Sequence, residues 1–460
     1  MTKRQEKSYI PLDIMKPYLH MLLLCSMLAT VAALRAQPIE TIGRSPSSDT
    51  LYLQEVLTDV MRSNDRAAAA RFMEQAASQN ASAAGAWKDP MLMTGLTNVP
   101  LSFDLRMDPM TMIMFGVTQE IPYAGQMGLR RSVAEAEAGA AAQERRGMEI
   151  DLITAAKSAY IELYYGQKSL EELRHQKDIM SDIAAAVSAR LQSGQATQAQ
   201  ALAAGADQWR LESMINSSLQ MTEEAWYTLS QLRGISPAPS MRPLAEPIVG
   251  RIPDSPDPWL AAAETNYPPL QALKYRSGRF DLEAASMRRM RWPMLQLSAA
   301  YGWRLDAEME PRDDMISLQA QFTLPIFEGR RQGRLARAMT AMKGNADAEA
   351  RQMMREVEAY LRALHSKASY LHRNAAIYSD RIIPADEDAL ASALTGYRGG
   401  SGSLADVLTY AAGVYRDRIT VNQLMAELAK TLIEAQRYTT DPASLALSPE
   451  MPGGTTERGE

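Results

Sequence analysis

The chain has 460 residues, of which 46% are hydrophobic and 22% charged, and it carries a formal net charge of -5. Its mean hydropathy of -0.26 argues against a bundle of transmembrane helices, since each such helix needs about 20 apolar residues. The near-neutral charge gives no sign of nucleic-acid binding. The single cysteine, Cys25, excludes an intrachain disulfide and a cysteine-rich metal site.

A secretory signal peptide is predicted at residues 1–36. Four basic residues precede a short apolar run, Leu19–Leu34, and small residues follow it. This order is typical of an export signal rather than a membrane anchor, because the run is short for a membrane span. The leucines before Cys25 lack the small residue expected beside a lipidated cysteine, so we expect Cys25 to be removed with the signal. A flexible leader is predicted at 37–50.

The rest of the chain contains two similar halves, 51–234 and 259–438. Each half has the order helix, strand, strand, very long helix, turn, helix, and this repetition indicates a duplicated unit. The connector between the halves, 235–258, contains seven prolines, which favour an extended segment over a helix. The final segment, 439–460, has the composition of a disordered tail.

Four strands are predicted at 90–99, 111–121, 293–303 and 315–325. Apolar and polar residues alternate in most of them, so one face of each strand is apolar. Each strand is about 9–11 residues long, the length that a tilted strand needs to cross a bilayer. A sheet packed on a soluble core is the alternative interpretation. The side chains expected to face lipid are Ile113, Phe115, Val117, Leu297, Tyr301, Trp303, Ile316, Leu318 and Phe322.

Long helices are predicted at 125–190, 197–233, 329–396 and 403–437, in sequence rich in alanine, glutamate, glutamine and arginine. A helix of about 65 residues would extend about 100 Å, so it must pack lengthwise against other helices. Taken alone, these helices would fit a coiled-coil scaffold. Two strand hairpins leave open sheet edges, and closing them would need several chains.

Three motifs carry a resemblance to a known family: Gln119–Arg130, Leu324–Arg330 and Tyr397–Leu408. Together with the order of the elements over roughly Leu51–Tyr438, they resemble the TolC-like outer-membrane efflux family. The first motif is most similar to the heavy-metal-efflux (CzcC/CusC-like) branch. The resemblance implies a mainly α fold with a β-barrel part. In this fold a homotrimer forms one closed 12-stranded barrel, which continues into a periplasmic α-helical barrel.

The resemblance also implies a function and partners. The chain would be the outer-membrane exit duct of a tripartite efflux system in a Gram-negative bacterium, with a large periplasmic portion. It would carry small solutes, metal cations among them, from an inner-membrane RND-type or other pump through a periplasmic adaptor (membrane fusion) protein. Expected partners are its own copies and outer-membrane lipid, not nucleic acid. Alternatives are the outlet of a type I secretion system and a soluble periplasmic coiled-coil scaffold.

The resemblance assigns a pore gate to two helical tips. Tyr397 matches the gate tyrosine, whose hydroxyl would latch a neighbouring helix, and Asp406 matches an acidic position that a trimer turns into a ring of charge. Gln200 stands where an acid is common, and Gly402 stands where a basic residue is expected. Arg398 is the nearest basic substitute, so a looser or a hydrogen-bonded gate is expected rather than a salt-bridged one.

The same tips are expected to contact the adaptor. Glycine suits a tight turn between two helices, and an acid such as Asp406 is also favourable at a helix N-terminus for purely local reasons. The residues expected at the adaptor contact are Gly194, Gln195, Ala196, Gly400, Ser401, Ser403 and Leu404.

No enzyme is predicted, because the usual nucleotide-binding and hydrolase motifs are missing from the sequence. No cofactor and no metal site are expected. A methionine-rich segment, which includes Met91, Met93, Met107, Met110, Met112 and Met114, suggests soft-metal binding. Methionine on or between strands is more often explained by space filling or by contact with lipid. His365 and His372 are expected to be ordinary core or surface residues.

Overall fold

The computed structural model describes residues 50–236, 241–306 and 311–440. The predicted signal peptide with Cys25, nearly all of the predicted leader and nearly all of the predicted tail lie outside the described residues. The described helices are α1 (Leu53–Ser63), α2 (Asp65–Ala84), α3 (Gln126–Gln192), α4 (Gln198–Leu232), α5 (Asp257–Asn266), α6 (Pro268–Arg289), α7 (Gln332–Ile377), α8 (Ile383–Arg398) and α9 (Leu404–Thr439). The strands are β1 (Met91–Thr97), β2 (Met112–Ile121), β3 (Leu295–Trp303) and β4 (Met315–Phe322).

The four strands form one antiparallel sheet in the order β1-β2-β3-β4. The two halves of the chain therefore meet where β2 pairs with β3. Phe115 lies opposite Tyr301, and Tyr301 lies opposite Ile316, so the apolar residues of neighbouring strands share one face. Strands β1 and β4 are the two edges of the sheet.

Two strands are shorter than the alternation of residues predicts. Strand β1 ends at Thr97, because Asn98 adopts a positive φ of 56° that leaves the extended region. Strand β4 ends at Phe322, although Thr323 still donates its N–H to the Met294 carbonyl at 3.0 Å. Pro325 follows and has no N–H to donate, so the ladder cannot continue.

The predicted helix at 329–396 is not continuous in the structure. A five-residue π-helical turn, Tyr378–Ile382, separates α7 from α8. Pro384 lies in the first turn of α8, and its missing N–H prevents the ordinary α-helical hydrogen bond there. The end of the proline-rich connector also differs from the prediction, because α5 begins at Asp257. Pro258 is tolerated in the first helical turn, where an N–H would have no helical partner.

A buried core holds the first helices against the connector. Tyr160 of α3 is fully buried, and its hydroxyl donates to the carbonyls of Leu51 at 2.9 Å and Ala245 at 2.7 Å. Burial raises the pKa of this tyrosine. Arg233 is also buried and donates to Asp59 at 2.6 Å, which satisfies its charge. Within the described ranges, no helix has an apolar stretch long enough to cross a membrane.

Candidate functional site

The candidate site consists of two helix-turn-helix tips, one between α3 and α4 and one between α8 and α9. Gly194 and Gly400 occupy equivalent places in the two turns, with φ values of 73° and 80°. Glycine adopts this left-handed conformation without the steric cost that other residues incur. The sequence match between the two halves therefore extends to the backbone conformation of the tips.

The hydrogen bonds of the two turns follow one pattern. The Arg190 carbonyl accepts from the backbone N–H groups of Gln195 at 2.8 Å and Ala196 at 3.2 Å. In the second tip the Gly396 carbonyl accepts from Ser401 at 3.0 Å and Gly402 at 2.9 Å. Carbonyls at a helix C-terminus otherwise lack partners, so these bonds terminate each helix in the same way.

The helices that leave the tips are capped at equivalent positions. The Thr197 hydroxyl accepts from the Gln200 N–H at 3.3 Å, and the Gln200 side chain accepts from the Thr197 N–H at 2.9 Å. This capping box gives Gln200 a local structural role. The Ser403 hydroxyl accepts from the Ala405 N–H at 3.1 Å. Asp406 holds the place equivalent to Gln200, is exposed and lies in the first turn of α9.

The two tips share a hydrophobic core. Val187, Leu404 and Val407 are buried in one cluster with apolar residues of α4 and α8. Leu404 was expected at the adaptor-contact surface, but it is only 2% exposed because it packs within this cluster and neighbouring helices cover it. The remaining expected contact residues are at the surface: Gly194, Gln195, Gly400, Ser401 and Ser403 are exposed, and Ala196 is half-buried.

An arginine and a tyrosine connect one tip to the other. The Arg190 guanidinium lies over the Tyr397 ring, 4.5 Å from its centroid, and also donates to the Tyr397 carbonyl. Tyr397 is 6% exposed, and its hydroxyl has no hydrogen-bond partner among the described residues. Within one chain, Tyr397 therefore contacts the first tip through its ring, and the hydroxyl latch to a neighbouring helix stays a prediction.

The close packing of the backbone around Gly402 explains why the second tip has no basic residue at this position. A Cβ atom there would lie 2.6 Å from the Tyr397 nitrogen and 2.7 Å from the Gly396 carbonyl carbon, too close for any side chain. Arg398, the expected substitute, is exposed at the end of α8. The sequence does not point to Arg190, because a basic residue in the last turn of a helix usually reflects a local charge preference.

Charged groups join α3, α8 and α9 between the tips and the π-helical turn. Arg418 donates to Glu172 at 3.0 Å and to Glu387 at 2.6 Å, so one guanidinium connects three helices. Beside it, burial and a hydrogen bond that the protonated Asp417 carboxyl donates to the neighbouring Asp386 raise the pKa of Asp417. Two carboxyl groups this close favour sharing one proton.

The sheet carries the second candidate surface. The nine side chains expected to face lipid lie on one face, as the strand register requires. Eight of them are exposed and Ile113 is half-buried; Leu318 is 80% exposed. Leu92 and Leu96 of β1 lie opposite Val117 and Ile113 and extend the same face.

A conventional metal site does not emerge from these surfaces. In the described part of the chain, no group of three or more histidine, cysteine, aspartate or glutamate side chains is placed to hold a metal ion. The His365 ring contacts the Pro253 carbonyl at 2.9 Å and packs edge-on against Trp259. This histidine therefore has a packing role.

Comparison with known proteins identifies the fold. No protein-family model matches the sequence, and no curated protein matches it. Among solved structures, the chain is similar to the outer membrane protein VceC from Vibrio cholerae, with 16% identity and a TM-score of 0.69 over 83% of this chain and 95% of that one. CusC, described in connection with transmembrane channel formation, has 14% identity and a TM-score of 0.71 over 87% and 96%.

The outer membrane channel MtrE from Neisseria gonorrhoeae is similar to the same degree, with 14% identity and a TM-score of 0.69 over 85% of this chain and 89% of that one. Identities this low carry information on the fold alone. They confirm the predicted fold class, a mainly helical chain with a small sheet, and the chain has the fold of these outer-membrane proteins.

Proposed function

We propose that the chain is one subunit of a homotrimeric outer-membrane channel of the TolC-like family. The channel is the exit duct of a tripartite efflux system in a Gram-negative bacterium, and it has no enzymatic activity. It receives small solutes from an inner-membrane pump through a periplasmic adaptor. The observation that carries this proposal is the exposed apolar face, which continues in register across all four strands.

The surroundings of the sheet favour lipid over a protein core as the partner of this face. The strands contact one another, and no helix of the described residues packs extensively against them. Soluble proteins rarely expose apolar patches of more than a few hundred Å². Side chains such as Ile316, Leu318 and Phe322 therefore need a cover that the described chain does not supply.

The sheet edges favour assembly with other copies. Strands β1 and β4 each pair on one side only, and an unpaired edge cannot lie in a bilayer because its N–H and C=O groups would lack partners. Three copies joined edge to edge would make the closed barrel of 12 strands that the resemblance implies.

The helices provide matching lateral surfaces. On α4, Leu202 and Trp209 are exposed and seven residues apart, and on α7 the exposed Tyr370 and Ile377 have the same spacing. Residues seven apart lie on one side of a helix, as in coiled coils. We assign these stripes to contacts between subunits of the trimer.

The long helices would extend away from the membrane into the periplasm. Helix α3 has 67 residues, which corresponds to about 100 Å at about 1.5 Å per residue. The tips would then lie at the far end, where their exposed turn residues would meet the adaptor. In the trimer, Asp406, Gln200, Tyr397 and Arg398 would surround the narrow end of the pore, with Asp406 forming a ring of three acids.

Arginine substitutions on the two faces of β4 test the proposal. Leu318→Arg places a charge on the proposed lipid face, and the matched variant Gln319→Arg places it on the opposite face of the same strand. We expect the first to cost about 2–4 kcal/mol, because the arginine must enter the bilayer, and the second to cost far less. The readouts are the amount of heat-modifiable trimer in the outer membrane and conductance in planar bilayers.

Two results would contradict the proposal. Equal loss of trimer in both variants would mean that the faces do not differ in their exposure to lipid. A wild-type protein that fractionates wholly with the soluble periplasm would favour the coiled-coil scaffold instead.

A further inference from the structure

The methionines of the strands occupy only one face of the sheet. Because neighbouring residues of a strand point to opposite faces, the register places all of them opposite the proposed lipid face. Along β2, for example, Met112 and Met114 alternate with Ile113 and Phe115. The methionines of this face are Met91, Met93, Met112, Met114 and Met315.

Space filling and contact with lipid do not account for this distribution. The lipid face carries leucine, isoleucine, phenylalanine and valine, and methionine would suit it equally well. The face with the methionines otherwise carries mainly serine, threonine, glutamine and glycine; on β4, for example, it carries Ser317 and Gln319. In the proposed barrel this is the wall of the pore, so the large apolar side chains that the strands contribute there are thioethers.

Three of these methionines lie around Gly302, two of them through their sulfur atoms and Met315 through the strand register. Gly302 pairs with Met114 of β2 on one side and with Met315 of β4 on the other. A Cβ atom built on Gly302 would lie 2.5 Å from the Met112 sulfur and 3.1 Å from the Met114 sulfur. Both sulfurs therefore lie over the same point of β3, where the missing side chain leaves room for them. Met112 is only 7% exposed.

We propose that the thioethers of Met112, Met114 and Met315 form a binding site for a soft monovalent cation, Cu(I) or Ag(I), on the wall of the pore. Thioether sulfur prefers such ions over hard cations. Met93 and Met91 lie further along the same face toward the helices and would offer further sulfur ligands on the same path. The cation is thus cargo in transit, and its place in a pore rests on the proposed function.

The charged groups near this end of the sheet are of both signs. Arg304 donates to the Pro109 carbonyl at 3.4 Å, and Arg312 donates to the Asp108 carbonyl at 3.2 Å. The backbone N–H groups of the same two arginines donate to the carboxylates of Asp314 at 3.0 Å and Asp306 at 2.9 Å. Charge therefore does not select one cation over another here, and a soft ion would gain its affinity from the polarizable sulfur ligands themselves.

Silver binding to the full-length protein tests this site. The protein is purified in detergent and halide-free nitrate buffer, and bound Ag(I) is measured by equilibrium dialysis and elemental analysis. The test variant is Met112→Leu/Met114→Leu/Met315→Leu, which keeps side-chain volume and removes the sulfurs. The matched control is Met73→Leu/Met221→Leu/Met342→Leu, in which the three exposed methionines lie on helices.

We expect the strand variant to lose one bound Ag(I) per subunit relative to the wild type, and the helix variant to keep it. Gly302→Ala should weaken Ag(I) binding with every methionine retained, because its Cβ occupies the space of the two sulfurs. Equal silver stoichiometry in the wild type and the strand variant would overturn the site. Displacement of Ag(I) by equimolar Zn(II) would also overturn it, since the site would then not be selective for soft ions.

Potassium conductance separates this proposal from the proposed function. The strand variant should still conduct K⁺ in planar bilayers, because leucine preserves the wall of the barrel. A wild-type protein that binds Ag(I) at these methionines without conducting K⁺ would contradict the channel and leave the thioether site standing. If the wild type conducts K⁺ but the strand variant binds as much Ag(I) as the wild type does, the thioether site is contradicted and the proposed channel function still stands.

Discussion

An arginine–tyrosine pair connects the two halves of the molecule at their tips, in addition to the hydrophobic core that the tips share. Arg190 ends α3, Tyr397 lies in the last turn of α8, and the guanidinium both covers the ring and donates to the backbone carbonyl. A planar guanidinium can stack and donate at once, which a lysine ammonium cannot do. We expect this contact to hold the tips together in the closed state.

Arg190→Ala should loosen both turns. The variant loses the cation–π contact and one charge-assisted hydrogen bond, which should lower the local free energy of unfolding by about 2 kcal/mol. This change corresponds to a roughly thirtyfold faster exchange of the amide hydrogens. The measurement is exchange at residues 194–196 and 400–402. Arg398→Ala is the matched control, because this arginine is exposed on the second tip, next to Tyr397 in the chain. Similar exchange in the two variants would show that Arg190 does not hold the tips.

At the scale of elements, the π-helical turn divides the second long helix into two segments. Tyr378–Ile382 precedes Pro384, and the charged contacts of Arg418 and the Asp386–Asp417 pair lie just beyond it on α8 and α9. Helices bend most easily where a proline or a π-turn interrupts their hydrogen bonds. The packing of α8 against α9 therefore depends on these contacts.

The pair of carboxyl groups should make this packing sensitive to pH. The pKa of Asp417 is raised in the folded protein, so the folded state binds more protons than the unfolded state just above the ordinary aspartate range. The stabilising contribution of the shared proton is present at low pH and is lost as the pH rises through the raised pKa. We expect α8 to exchange its amide hydrogens more slowly at about pH 4 than at about pH 7 once intrinsic rates are corrected.

Asp417→Asn should remove this pH dependence, because an amide can donate to Asp386 at any pH. The variant should protect α8 at neutral pH more than the wild type does. Asp178→Asn, an exposed residue of α3, is the control and should leave the pH profile unchanged. A wild-type profile that stays flat would contradict the role of the pair.

At the scale of the whole molecule, three-fold assembly multiplies the effect of each pore residue. One exposed Asp406 is an ordinary helix N-terminal acid, whereas three around a narrow opening would attract cations into it. The equivalent residue of the first tip is the neutral Gln200. The two positions therefore allow charge to be removed from one ring and added to another.

Asp406→Asn should lower the K⁺/Cl⁻ permeability ratio of the channel, and Gln200→Glu should raise it. Glutamate also suits the capping box at Gln200, so this variant should fold normally. Both effects should be larger at about 0.01 M salt than at about 1 M, because the Debye length falls from about 30 Å to about 3 Å. Reversal potentials in planar bilayers measure the ratio. Unchanged selectivity in both variants would remove these residues from the pore.

Sequence patterns were sufficient for the fold class and for the local form of the tips. The alternation of apolar and polar residues in Ile316–Phe322 predicts a strand from neighbouring residues alone. The proline-free stretches predict the helices in the same way, and Gly194 and Gly400 predict the two turns. Such local signals determine which segments form strands, helices and turns. They do not determine which side chains meet.

Tertiary structure alone decided those contacts. Arg190 and Tyr397 are 207 residues apart in the chain, so their contact follows from how α3 and α8 pack and not from any spacing in the sequence. Leu404 is buried for the same reason, because a neighbouring helix covers it. The strand register brings Met114, Gly302 and Met315 into one row across three strands. By itself the sequence determined the helices, the strands and the two faces of each strand. Packing and strand register depend on residues that are distant in the chain, and they decided which residues lie together.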